Sequence, residues 1–460
     1  MATEFKLVVS DAFQFGQAVA LRGGYAIVGA RRMTGAESEV GLAYIFVKNG
    51  TGWVKQAQVS GSIAAGPNDQ FGTAVAIDGD YAIVGARSGG GNEPGRAYVF
   101  HRDGSNWVEE SVLVASDPAD SAFFGQSVAL SGDWAMVGSG DAYMFRRTGS
   151  TWTVEDRLTG ITGRAVSLSG NYAVARDSSG IALKVFQRYG TNWQQQAVLT
   201  ASDASNYIFG DSVSISGDYI IAGAPNGDAN SAGAAYVFVN SGSVWIQQAK
   251  LEPNTGIQRT FGTSVGISGN YALVGDPFDA EVADDSGAAY IFQRKGMAWL
   301  LIEKIVASDA AARDDFGMSV AIDASAVGGL AIVGAPDKAL GDVEGEAYIL
   351  SDFSAAIGGV IDPRRLIAIV GRILFGIIGD GGGVIWVPGI GPVPVPPSGP
   401  LNAYSGLSPA KRDVLVGLAL SEMANLINNA DVQQEVRTTG LKLVKQAANR
   451  LQVPSETDAP

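Results

Sequence analysis

Small and apolar residues recur along the chain in one fixed phrase. It reads "FGTAVAIDGDYAIVGAR" over 71–87, "FGDSVSISGDYIIAGAP" over 209–225 and "FGTSVGISGNYALVGDP" over 261–277. Copies begin at Phe15, Phe71, Phe124, Phe209, Phe261 and Phe316, and a degraded one, "TGRAVSLSGNYAVARD", surrounds Gly163. Each unit resolves into four short apolar segments. The first is "QAVAL" (17–21) and its kin, and the second opens on an aromatic residue, as in "YAIVGA" from Tyr25. The third is "AYIF" from Ala43 and its kin, and the fourth opens on Trp53, Trp107, Trp152, Trp193, Trp245 or Trp299. Valine, isoleucine and aromatic runs broken by Gly-Asp or Gly-Asn are strand and hairpin signals. A period of this length with four strands per unit predicts an all-β fold, a seven-bladed β-propeller of four-stranded blades.

The count of segments predicts how the ring closes. Segments one to three occur seven times, but the tryptophan-led fourth occurs six times, and the last unit stops at "EGEAYILSDF". The chain opens on "EFKLVVSDAFQFG", which reads like a fourth segment. Residues 4–9 are therefore expected to complete the last blade as its outer strand, within a propeller spanning 1–352.

Composition narrows the chemistry. The chain has 460 residues, 46% of them hydrophobic, with 61 glycines. That describes a globular protein rich in turns. It has no cysteine, which excludes disulfides, thiolate metal sites and cysteine nucleophiles. A single histidine, His101, makes a Ser-His-Asp triad or a multi-histidine zinc site a poor expectation. The formal net charge of -14 argues against nucleic acid as a partner. The first residues show no basic stretch followed by an apolar run, so no signal peptide is read there.

These repeats resemble the FG-GAP family, which includes the propeller head of integrin α subunits, in its bacterial "SVAISGD…VGAP" variant. The resemblance covers roughly residues 4–350. It implies a non-catalytic binding or adhesion module, lectin-like in the manner of some seven-bladed fungal propellers, on a secreted or surface protein. Many members carry a calcium loop of the D-x-D-x-D-G type between the first two strands. Here that turn is only "SGD", "DGD" or "SGN", too short for six or more oxygen ligands, so those sites are not carried over.

Function is then expected in the loops. The turns between the third and fourth strands carry Lys48, Arg102, Arg146, Arg147, Arg188, Arg294 and Lys295, which predicts a basic rim. The opposite face carries the long loops and is acidic in blades five to seven. Asp279, Asp284, Asp285, Asp314 and Asp315 are the candidate ligand-binding residues. Asp228, Asp279, Asp284 and Asp285 are the candidate Ca²⁺ ligands, as hard oxygen donors. A solvated acidic rim is the plain alternative. Shortened links near 139–141 and 159–163 predict a notch in blades three and four.

After residue 352 the repeat ends. An apolar and Pro/Gly-rich segment covers 353–405, and a small, mainly α-helical extension is expected over 406–460. Residues 366–378 are too short to span a bilayer as a helix. Three roles stand side by side for this tail. It packs on its own propeller, it joins a second copy as an oligomer, or residues 366–386 contact a membrane. A glycan or protein ligand held by the propeller loops is the leading functional expectation. An injected or membrane-active effector with a propeller as its receptor-binding part is the alternative.

Overall fold

The computed structural model describes residues 3–353 except 34–39, 51, 64–68, 88–93, 118–122, 204–208, 226–232, 243, 254–259, 327 and 338–344. It also describes the strands Gly383–Val387 and Gly391–Val395. Seven four-stranded antiparallel sheets follow one another as blades over 12–59, 71–113, 127–158, 161–199, 213–251, 264–305 and 319–351. The seven-bladed propeller expected from the repeats is therefore the fold.

The last sheet takes its outer strand from the chain start. Its order is Thr3–Leu7, Glu346–Ser351, Leu330–Ala335, Ser319–Asp323, and Phe5 lies opposite Ile349. The strand sits one residue earlier than expected at its start and two residues earlier at its end. Lys6 fastens it through ion pairs to Asp309, at 2.6 Å, and to Glu346.

Alternation explains how blades stack. In the innermost strand of blade one, Val19 and Leu21 join the core shared with Leu330 and Ile332 of blade seven. Ala18 and Ala20 turn the other way, against blade two. Both faces of every middle strand are thus covered, and Tyr44, Ile45, Tyr98 and Val99 are fully buried or nearly so.

The repeated glycines set the distance between blades. A Cβ on Gly29 would lie 2.0 Å from the carbonyl oxygen of Gly72, and one on Gly275 would lie 2.0 Å from that of Gly317. The "VGA" glycine of one blade therefore touches the "FG" glycine of the next. Neither contact has room for a side chain.

Aromatic residues form a second link. In blades one to five the residue opening the second strand meets the tryptophan of the next blade edge to face: Tyr25 with Trp107, Tyr81 with Trp152, Trp134 with Trp193, Tyr172 with Trp245, and Tyr219 with Trp299. Blade seven has no such tryptophan, and Phe353 takes its place against Tyr271 at 5.4 Å.

A third link circles the axis where each innermost strand ends. Side-chain oxygens of Asp78, Ser131, Ser169, Ser216, Ser268 and Asp323 accept from the backbone N–H of the next blade's turn, at 2.8–3.4 Å. Only the step from blade one to blade two differs. Arg22 stands there and pairs with Asp78 at 3.5 Å.

Contacts divide the chain into two compact units, 1–353 and 354–460. In the second unit the two described strands pair antiparallel, with Trp386 opposite Pro392 and Val384 opposite Pro394. The helical extension expected over 406–460 and the apolar run 366–378 lie outside the described residues. Among the described residues no helix is long and apolar enough to cross a membrane.

Candidate functional site

The face formed by the short turns is less basic than its sequence predicts. Arg102 and Arg147 bond to Asp80 and Asp133, and Arg188 and Arg294 bond to the side-chain oxygens of Asn171 and Asn270. Each guanidinium also lies over an aromatic ring of the preceding blade. Arg102 covers Tyr25, Arg147 Tyr81, Arg188 Trp134 and Arg294 Tyr219, at 4.2–5.1 Å. Four of the seven cations are thus latches between blades. Their partners stand in the "DGD", "SGD" and "SGN" turns, which share that face.

The tryptophans are not a sugar platform. All six that open outer strands are only 6–9% exposed. Indole N–H groups of Trp107, Trp152, Trp245 and Trp299 donate to Gln56, Glu110, Gln196 and Gln248 of the preceding blade. Stacking a sugar on them would require the blades to part. His101 lies against Tyr81, with ring centroids 4.8 Å apart.

At the shortened links of blades three and four the residues bond to one another. The Gln126 side-chain amide donates to the Ser139 and Thr162 carbonyls, and Arg157 clasps Asp141 at 2.8 Å.

On the opposite face, two segments meet between blades six and seven: the loop 277–287 and the link 306–318. Their backbones zip together. Arg313, Asp315 and Phe316 donate N–H bonds to the carbonyls of Asp284, Asp285 and Ser286 at 2.9–3.3 Å. Asp285 and Asp315 hold left-handed backbones, with φ of 52° and 54°. Such conformations are uncommon outside glycine and most accessible to Asp and Asn.

The zipper sorts the candidate residues into different roles. Asp279 is buried and committed. It accepts from the Tyr290 hydroxyl at 2.9 Å and from Lys304 at 2.7 Å, and Lys304 also holds Glu281 at 2.6 Å. Asp314 is buried and accepts from the Ala311 N–H at 2.7 Å. Asp284 is exposed and Asp285 half-buried. Asp315 is nearly buried beside Asp285, Asp314 and Asp337. Burial first, then the Asp337 carboxyl and the charges of Asp285 and Asp314, push its pKa up to about 7. Asp228 lies outside the described residues. Among the described residues, no group of three or more His, Cys, Asp or Glu is arranged to hold a metal ion.

Three residues here escape the sequence reading. Asp276 stands where Ala30, Ala86, Ala224 and Ala335 stand in other blades. It is fully buried and bonded to Thr260 at 3.0 Å. Burial drives its pKa to about 7; the Thr260 bond and Lys304 oppose the rise, and the Asp279 charge adds to it. The signal was "GDP" in place of "GAP". Lys304 and Asp337 complete the group, and neither carries a local signal.

Fold and faces define a closed seven-bladed β-propeller built from one repeated unit. The FG-GAP repeat model matches residues 6–46, 53–100, 107–149, 193–238, 245–292 and 299–350, so the chain belongs to the FG-GAP repeat family. The unmatched stretch 150–192 covers most of blade four, whose repeat is the degraded one. No curated protein sequence matches the chain. Similar solved structures include a 6-phosphogluconolactonase candidate from Bacteroides fragilis, at 12% identity and TM-score 0.45, covering 64% of this chain and 85% of that one. Another candidate of that name, from Bacteroides uniformis, has 14% identity and TM-score 0.46, covering 65% and 88%. The WD40 domain of Toxoplasma gondii coronin has 7% identity and TM-score 0.46, covering 76% and 86%. None of the three bears on what this chain does.

Proposed function

We propose that the protein is a non-catalytic binding module, and that the long-loop face at blades six and seven docks a basic segment of a protein partner. One observation carries this: the backbone zipper fixes Asp284 and Asp285 beside exposed Glu281 and Asp337, so negative charge is presented on an ordered surface. Fixed charge of one sign attracts and orients an oppositely charged partner. The same carboxylates keep Ca²⁺ as a competitor for that surface. A surface-exposed or secreted setting, as in the integrin-like members, accords with an adhesive role.

Binding of oligolysine and oligoarginine peptides to the immobilised full-length chain tests this, at low and at raised salt. Binding is expected to weaken with salt. It should fall about tenfold in the triple variant Asp284→Asn, Asp285→Asn, Asp337→Asn. Equal binding by the variant would end the proposal. Added millimolar Ca²⁺ should compete with the peptide and raise the melting temperature of the natural protein.

A further inference from the structure

The seven innermost strands enclose a cavity of about 340 Å³ on the propeller axis. Their side chains turn sideways into the layers between blades, so the wall is largely the free backbone edge of those strands. In blades five and six, part of that edge is satisfied internally. The amides of Ile215 and Ile267 donate to the hydroxyl oxygens of Ser167 and Ser214 in the preceding blade, each at 3.2 Å.

Elsewhere the same register leaves the edge open. Leu21, Ile77, Leu130, Leu168 and Ile322 hold the position of Ile215 and Ile267 in their own blades. The residue that would face each from the preceding blade is Ala321, Ala20, Ala76, Ala129 or Gly266. Alanine and glycine bring no acceptor. In an antiparallel strand, a residue that turns its N–H away from its partner turns its C=O away as well. Each open position therefore offers a donor and an acceptor side by side, and such groups need partners when they are enclosed.

The mouth of the channel is uneven at the same place. Six of the seven turn amides are capped by a side-chain oxygen from the preceding blade. Gly79 is not, because Arg22, which has no acceptor, stands there. The Arg22 side chain is 54% exposed and paired with Asp78. Blade one thus contributes a donor-rich but charge-compensated entrance.

We infer that the axial channel binds one ring of a neutral, hydroxyl-rich molecule, a sugar or a polyol, on the free strand edges. A hydroxyl both gives and accepts a hydrogen bond, which matches edge positions that do the same. A bare cation would meet the amides and a bare anion the carbonyls, so the alternation disfavours both. The volume equals roughly eleven waters at ~30 Å³ each, and it lies at the small end of ligand sites, which run from about 300 to 1,000 Å³. The occupant is independent of the acidic loop face, and either proposal can fail without the other.

The test is calorimetric titration of the full-length chain with glycerol, myo-inositol, glucose, galactose, mannose and N-acetylglucosamine, with sulfate as the ionic probe. At least one neutral compound is expected to bind at millimolar concentration or below, and sulfate is not. Ala20→Ser and Gly266→Ser place a hydroxyl within reach of the Ile77 and Ile322 amides. A Cβ on Gly266 would lie 3.5 Å from the Ile322 nitrogen. Together they should weaken binding by about tenfold. Arg22→Ser, at the exposed mouth, should cap Gly79, keep the fold and weaken binding several-fold. Absence of binding by all six compounds, binding of sulfate in their place, or unchanged affinity in Arg22→Ser would each overturn the inference and leave a channel that holds only water.

Discussion

The Asp323 carboxylate accepts a hydrogen bond from the backbone N–H of Gly23 at 2.8 Å, across 300 positions of sequence. That bond carries the axial belt from the last blade to the first. Burial raises the pKa of Asp323, but bonds from Ser325 and Gly23 and the charge of Arg22 outweigh it, and the carboxyl sits below its ordinary value. Asp323→Ala should cost about 1.5–3 kcal/mol, as for a hydrogen bond to a charged group. Because the folded pKa is depressed, this stabilisation is present above the unfolded value of 3.8 and is lost as pH falls through the folded one. Urea titrations from pH 7 downward check both points: natural and variant proteins should differ at pH 7, and the difference should narrow as pH falls below 3.8.

Gly29 and Gly52 should respond in opposite ways to alanine. The Gly29 Cβ would strike the Gly72 carbonyl, whereas the Gly52 Cβ would meet Phe5 at an ordinary 3.4 Å. Gly29→Ala is expected to cost at least about 1–3 kcal/mol by forcing two blades apart, and Gly52→Ala to leave the melting temperature nearly unchanged.

Asp276 and Asp315 predict a stability that declines toward neutral pH. Both have folded pKa values near 7, above the ordinary 3.8, so the neutral carboxyl is the better folded form. Their contribution is full below about pH 4 and is lost as pH rises through 7. Melting curves from pH 5 to pH 8 should fall for the natural protein. In Asp276→Asn with Asp315→Asn the slope should flatten, and an unchanged slope would refute the assignment.

Leu7 is 2% exposed in the strand that completes the last blade. Leu7→Ala should cost about 2–5 kcal/mol, as expected for an emptied core position. Deleting residues 1–10 should do far more, because Glu346–Ser351 would become an uncovered edge. Thermal melting and light scattering read the two effects.

Blade number, strand count and ring closure were legible because seven imperfect copies vote on each position. Trp53 and its kin were visible as strand openers, but their burial was not. It depends on Tyr25, Tyr81 and the other aromatics of the neighbouring blade. The arginine rim was misread for a related reason: Asp80 and Asp133 reach Arg102 and Arg147 only once two turns of one blade share a face. Asp279 looked like a ligand because its partner, Lys304, is 25 positions away on another strand. The axial edge left no trace, since backbone groups are the same in every sequence.

The pairing of Thr3–Leu7 with Glu346–Ser351 has a consequence for birth of the molecule on the ribosome. Of the ring's strands, the earliest made waits for nearly the last. At about 5–20 residues per second, that delay is roughly 20–70 s. Meanwhile blades one to six can form in order, each against its predecessor, but the exposed side of blade one stays uncovered. Val19, Leu21 and Trp53 face water until blade seven arrives. Closure is therefore the step at which a nascent chain is most open to pairing with a sister chain, and a stalled or truncated transcript would release an open arc with two sticky ends.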